Sequence, residues 1–203
     1  LTAAGKGSRF EKYGYRVPKI FLDFQNKTLI NHSLDSINAK RVTIISLKKY
    51  ERLIKKRIIN YKNIENLFLN KTPNGQLFTL FEYIKSQKNI KNFFVSSADY
   101  KFGFSSTKFK NFLNKKDPDV VIFTSQWEEF VFEDISNYGF VDSEKSGLIK
   151  EIIEKPNPKS KDVNLDSLLI GTFWFKSSDI IHTIMKEYAS QIVFYLSATP
   201  RKT

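Results

Sequence analysis

The sequence predicts an α/β fold: a mostly parallel β-sheet flanked by helices, with a small antiparallel addition in the C-terminal half. Three observations carry that expectation. From the N-terminus to Ser125, apolar runs of strand length alternate with amphipathic helical patterns, the rhythm of βαβ units. From Tyr138 the texture changes to strand, glycine-containing turn and strand, as in a hairpin. The chain has 203 residues and 41% hydrophobic content, with 19 Phe and 9 Tyr, which is ample for the core of one such domain.

The elements follow in order. Leu1, Thr2 and Ala3 read as the end of a strand leading into AGKGSRF. A glycine-rich loop normally follows a full strand, so more strand is expected upstream. LINHSLDSI (29–37) has helical apolar spacing, and VTIIS (42–46) is a buried strand. KKYERLIKKR (48–57) puts Leu53 and Ile54 at helical positions among basic residues and reads as a solvated helix face. LFTLFEYIKSQ (77–87) is helical, and NFFVSSADY (92–100) is a strand ending in an acid. A short helix, KFKNFLNKK (108–116), precedes the buried strand DVVIFTS (119–125). The hairpin YGFVDSEKSGLIKEIIEKP (138–156) is followed by a strand, LIGTFWFKS (169–177). SSDIIHTIMKEY (177–188) then begins a helix with a Ser/Asp start signal. No repeat, low-complexity stretch or linker divides the chain, so residues 1–203 read as a single domain, truncated in its first strand and incomplete towards its C-terminus.

Composition narrows the function. The absence of Cys removes disulfides and thiolate metal sites and fits a reducing compartment. No apolar run approaches the ~18 residues that a membrane helix needs, so no membrane partner is expected. A net charge of +12 invites a nucleic-acid reading, but the Lys residues are spread along the chain and the aromatics sit in strand-like runs. Trp127 and Trp174 therefore read as core, and no nucleic-acid partner is expected. His32 and His182 lie in helical patterns without a partner at metal spacing and read as ordinary or satisfied residues.

The opening loop carries the chemistry. Gly5 and Gly7 let backbone amides approach a ligand where a Cβ would intrude, and successive amides form a nest for anions. Arg9 can add a bidentate contact to a phosphate. AGKGSRF alone also reads as an ordinary strand-to-helix turn; it lacks the GK[ST] ending of a Walker loop and the third glycine of a dinucleotide fingerprint. Downstream, Pro18 restricts the backbone and Lys19 supplies a point charge that can return to the same phosphates. Taken locally, Lys19 reads equally as a surface lysine, Asp99 as a turn cap, and Glu154-Lys155-Pro156 as a polar strand end.

LTAAGKGSRF…GYRVPKIFLDFQNKTLI resembles the start of the sugar-phosphate nucleotidylyltransferases: a strand, a G-x-G-[ST]-R loop, a downstream P-K, then a short strand and a turn ending in K-x-L-I. The Gly-Tyr before Pro-Lys is similar to a subgroup encoded with bacterial capsule and surface-polysaccharide genes. Further matches fall in the family's order, over roughly residues 1–185. KTPNGQLFTL resembles the loop that recognises the nucleobase, here through Gly75 and Gln76. SSADY places Asp99 where such enzymes hold magnesium. NYGFV resembles the Tyr-Gly of the sugar pocket, here Tyr138 and Gly139. IIEKPNP brings Glu154 and Lys155 to the sugar hydroxyls and phosphate, and LLIGTFWF brings Gly171 close to the sugar.

The resemblance implies a Rossmann-like sheet of the nucleotide-diphospho-sugar transferase type in a cytoplasmic bacterial enzyme. It would transfer a nucleoside monophosphate from a nucleoside triphosphate to a sugar 1-phosphate, releasing pyrophosphate, for surface-polysaccharide precursors. Implied are Mg2+ held by Asp99, catalytic Arg9 and Lys19, and nucleotide contacts at Ala3, Ala4, Gly5, Gly7, Ser8, Gly75 and Gln76. Implied acceptor contacts are Tyr138, Gly139, Glu154, Lys155 and Gly171. The Gly-Gln loop favours CTP or UTP. The chemistry agrees: phosphoryl transfer needs charge neutralisation and in-line positioning more than an acid–base pair.

The match fails towards the C-terminus. Family members follow the helix with a second metal-binding Asp, and no Asp follows Asp179 here. ATPRKT is similar to a remnant of the family's GTP turn, which would place a gap of some twenty residues between Ser190 and Gln191. Two alternatives therefore stand beside the leading one: a cytidylyltransferase for a non-sugar acceptor such as phosphocholine, and a non-catalytic nucleotide-binding module. Nothing in the sequence speaks to oligomeric state.

Overall fold

The structure, a computed structural model, describes residues 1–5, 10, 13–15, 17–37, 39–87, 89–126, 138–154, 156 and 167–198, with 189–198 as backbone only. The chain forms two compact units, Leu1–Val120 with Trp174–Thr203, and Val121–Phe173.

The first unit is built on parallel strands. β1 (Thr2–Ala3) is followed by a two-stranded ribbon, β2 (Asp23–Phe24) and β3 (Lys27–Thr28), and by helix α1 (Leu29–Ser36). Then come β4 (Val42–Leu47), α2 (Glu51–Arg57), β5 (Ile64–Leu69), α3 (Gln76–Ile84), β6 (Lys91–Ser96) and α4 (Ser106–Lys116). β4 is central: Ile44, Ile45, Ser46 and Leu47 are all buried, as expected of a parallel strand covered on both faces. It pairs in parallel with β5 from Val42↔Ile64 to Leu47↔Leu69. On its other side it pairs with β1 through Thr2↔Ile45 and Ala3↔Ser46. A parallel bridge, Thr2↔Ser97, sets the end of β6 against the far side of β1.

The spatial order is therefore β5-β4-β1-β6, the doubly wound arrangement in which the chain reverses direction across the sheet between β1 and β6. Ligands of such sheets bind outside the carboxyl ends of the strands at that reversal. The core beneath it joins Ala3, Ile20, Phe21, Ile30, Leu34, Ile44, Ile54 and Ala98. The aromatics belong to packing: Phe93 stacks on Phe175, and the buried Trp174 meets Phe109 edge-on. His32 is buried and bonded at 2.7 Å to the Phe24 carbonyl, while the ring of His182 meets Phe81. His32 is thus satisfied by a backbone carbonyl, while His182 packs ring against ring.

The second unit is antiparallel. β8 (Gly139–Ser143) and β9 (Ile149–Glu154) form the expected hairpin, from Gly139↔Glu154 towards Ser143↔Ile149. β8 pairs antiparallel with β10 (Ser167–Ser177) at Leu168↔Phe140, and β7 (Val120–Gln126) also pairs with β10.

Two elements depart from the sequence expectation. β5 was not foreseen, because Glu65 and Asn66 interrupt its apolar run; a strand with only one partner tolerates polar positions. The last helix, α5 (Ser178–Ala198), runs ten residues beyond Tyr188, where its sequence pattern was read to end. In the basic stretch, Ile54 is fully buried and Leu53 is exposed, so one stripe anchors α2 and the Lys and Arg residues face water.

Candidate active site

The site of the first unit is assembled from three loops at the carboxyl ends of its strands. β1 runs into Ala4 and Gly5; Ala3 and Ala4 are buried, and a Cβ built on Gly5 would meet nothing within 4 Å. The loop thus has open space where its backbone could receive a ligand. Gly7, Ser8 and Arg9 lie outside the described residues.

The second loop carries Lys19 on a single turn of 3-10 helix, Lys19–Phe21, started by Pro18 at φ −55°. Ile20 and Phe21 are buried, and the Phe21 amide donates to the Pro18 carbonyl at 2.9 Å. Two apolar anchors therefore fix the base of a long charged side chain.

The third loop follows β6. Ala98 is fully buried and its amide donates to the Thr2 carbonyl at 3.2 Å, so Asp99 emerges beside β1. Lys19 Nζ lies 2.8 Å from Asp99 Oδ2, and the Ser97 hydroxyl donates to Oδ1. The same ammonium lies 5.4 Å from the centroid of the Phe10 ring. Burial pushes the Asp99 carboxyl up, but the hydrogen bonds from Lys19 and Ser97 and the charge of Lys19 outweigh it. The net effect holds the carboxyl below its ordinary range. Two residues that sequence reasoning missed complete the frame. Ser33 of α1 is fully buried, donates to the Tyr100 carbonyl at 2.7 Å and accepts from the Tyr100 amide at 3.1 Å. Thr2 accepts from Gln76 Nε2 at 3.0 Å and donates to the Ser96 carbonyl at 3.3 Å. Polar residues inside otherwise apolar segments were the available signal for both.

Gly75 caps α3 at φ 101° and ψ 178°, a conformation essentially reserved for glycine. Its carbonyl accepts from the Thr79 hydroxyl at 2.9 Å, fixing the first turn. Gln76 is thereby delivered to β1, one strand from Asp99. Of the residues expected from sequence, the structure brings together Ala3, Ala4, Gly5, Lys19, Gly75, Gln76 and Asp99 at one end of one sheet.

In the second unit, Gly139 and Glu154 are direct cross-strand partners, and Tyr138 precedes them. A Cβ on Gly139 would come within 3.2 Å of Leu169 Cδ2, a tight approach that the leucine side chain would have to yield to. Gly171 has φ 67° within β10, an unusual turn of a strand. Lys155 and Trp127 lie outside the described residues.

A cavity of about 650 Å3 also opens in the first unit, lined by Val42, Thr43, Phe93, Phe94 and Phe109 among others. Thr2 and Ile45 also line it, but neither Lys19 nor Asp99 does. Space and charge are thus in different places, and the charged mouth is the better candidate for phosphate chemistry.

The donor set at that mouth bears on Mg2+. Asp99 is a hard oxygen ligand, and the cation it holds here is an ammonium. Among the described residues no group of three or more His, Cys, Asp or Glu could hold a metal. A single carboxylate suits an ion that arrives with phosphate oxygens, rather than one held in a protein cage.

The fold is that of a doubly wound α/β domain with a Lys19–Asp99 ion pair at its reversal point. The comparison with known proteins makes the class specific. Residues 1–202 match the nucleotidyl transferase family, and the chain belongs to it. It is 22% identical over 97% of its length to the bifunctional protein GlmU of Clostridium botulinum, and spans 42% of that protein. Among solved structures it is similar to a nucleoside-diphosphate-sugar pyrophosphorylase from Vibrio cholerae. The TM-score is 0.66 and the identity 21%, covering 98% of this chain and 80% of the other. The inositol-1-phosphate CTP transferase from T. maritima gives a TM-score of 0.67 at 18% identity, over 86% of this chain and 68% of the other. These likenesses bear out the expected fold and family. Among the described residues no helix is long and apolar enough to cross a membrane.

Proposed function

We propose that this chain transfers a nucleoside monophosphate, from CTP or UTP, to a sugar 1-phosphate destined for surface-polysaccharide precursors. An oxygen of the acceptor phosphate attacks the α-phosphorus, the bond from that phosphorus to the bridging oxygen breaks, and pyrophosphate leaves. The observation that carries this reading is the Lys19–Asp99 pair at the reversal point of the sheet, beside the open backbone of Gly5. Lys19 meets the triphosphate as a point charge, and the amides after Ala4 receive its anionic oxygens, with Gly7, Ser8 and Arg9 also serving the phosphates. Gly75 and Gln76 present the edge of α3 to the base. When bound at Asp99, Mg2+ supplies charge neutralisation on the phosphates. The family resemblance assigns the acceptor contacts to Tyr138, Gly139, Glu154, Lys155 and Gly171.

The test is a pyrophosphate-release screen with Mg2+, the common nucleoside triphosphates, and a panel of sugar 1-phosphates with phosphocholine. Turnover with a pyrimidine triphosphate and a sugar 1-phosphate is expected, falling about 10²–10³-fold in Asp99→Ala, the scale of losing a major electrostatic contact. Turnover with phosphocholine alone would move the acceptor to the non-sugar class. Turnover indifferent to Asp99→Ala would overturn the site, and silence across the panel would overturn the activity.

A further inference from the structure

Both oxygens of the Asp99 carboxylate are engaged in this structure. Oδ2 holds the Lys19 ammonium at 2.8 Å, and Oδ1 accepts from the Ser97 hydroxyl. The side chain of Asp99 is only 20% exposed against 36% for Lys19, so the carboxylate is the more enclosed member of the pair. The Lys19 ammonium also lies over the face of the Phe10 ring, and the backbone that carries it is anchored by the buried Ile20 and Phe21. Among the described residues no group of three or more His, Cys, Asp or Glu forms a metal cage.

We propose that Lys19 is an exchangeable counter-ion that closes Asp99 to free divalent metal and releases it only when a triphosphate draws the ammonium away. The inference rests on reading Asp99 as the metal ligand and adds the order of events. Two cations cannot share one half-buried carboxylate without repulsion, so metal and Lys19 compete for Oδ2. A triphosphate offers Lys19 several anionic oxygens in exchange for one, and it brings its own metal. Metal and nucleotide must then strengthen each other's binding by the same factor, since coupling is reciprocal. The protein gains a site that does not fill with free metal between turnovers.

The probe is Mn2+ alone, followed by electron paramagnetic resonance on the nucleotide-free protein. Lys19→Met should bind Mn2+ at least tenfold more tightly than wild type, and Lys19→Gln should do the same. Lys19→Arg, which keeps the charge, should stay within twofold of wild type. The gain should disappear in the double variant Lys19→Met with Asp99→Asn. Thermal melts of each variant establish that the folded protein is being titrated, and the Met and Gln variants stand in for each other if one fails to fold. A gain below twofold in the folded neutral variants overturns the counter-ion proposal. The underlying reading fails separately: Asp99→Asn should weaken binding of the Mn2+ complex of an α,β-methylene nucleoside triphosphate at least tenfold. If that affinity is unchanged, Asp99 is not a metal ligand. If it falls while Lys19→Met takes up free Mn2+ no better than wild type, only the counter-ion role is lost.

Discussion

Ser33→Ala tests whether the loop bearing Asp99 is held from beneath by α1. The hydroxyl is fully buried and serves both polar groups of one residue, the Tyr100 carbonyl at 2.7 Å and its amide at 3.1 Å. Alanine removes one oxygen and changes little in volume, so cavity terms are small and the lost hydrogen bonds dominate. Leaving a buried polar group without its partner costs ~1–3 kcal/mol. Tyr100 is only half-buried, so one such penalty rather than two is the better expectation, about 2 kcal/mol. For a chain of this size that corresponds to a fall in Tm of roughly 4–8 °C. The catalytic effect should exceed the thermodynamic one, because Asp99 immediately precedes the released peptide. A displacement of the order of 1 Å at a positioning group can cost about 10²-fold in rate. The assay is a urea melt at neutral pH alongside steady-state pyrophosphate release. Ser33→Cys, with a similar shape and a weaker hydrogen bond, should fall between the two proteins. Stability within ~0.5 kcal/mol of wild type together with kcat within twofold would refute the claim that Ser33 positions the loop, since surface-like changes stay in that range.

Two further outcomes follow from the same geometry. Gly75→Ala forces a side chain into φ 101° with nothing nearby to clash, so its cost is backbone strain of about 1–3 kcal/mol; a urea midpoint unchanged from wild type would contradict it. Asp99 is favoured in its ionised form by the fold, so its stabilisation is present above the ordinary aspartate value of 3.8 and is lost as pH falls through its lower folded value. The stability gap between wild type and Asp99→Asn should therefore narrow on acidification below that value, and a gap that widens would reverse the assignment.

Much of this molecule was legible in its amino-acid order, because local patterning is dictated by local burial. VTIIS reads as a doubly covered strand because it is short, β-branched and free of charge, as the middle of a parallel sheet demands. The helices over residues 29–36 and 76–84 repeat their buried side chains at helical spacing, and the glycine-containing turn after Ser143 announced a hairpin. β5 escaped because an edge position relaxes the demand for apolar residues on which such reading depends. Chain order also supplied the candidates for phosphate, base and metal, since Gly5, Lys19, Gln76 and Asp99 are residue types that this chemistry requires.

Sequence could not say that Lys19 and Asp99, eighty positions apart, would lie 2.8 Å from each other. That contact exists because β1 is inserted between β4 and β6, so loops distant along the chain emerge at one end of the sheet. Nor could it assign work to Thr2 or Ser33, whose hydroxyls look incidental until Gln76 and Tyr100 are brought to them. Secondary structure follows from neighbours in sequence and was readable there. The site depends on strand order, a property of long-range pairing, and only the tertiary structure decided it.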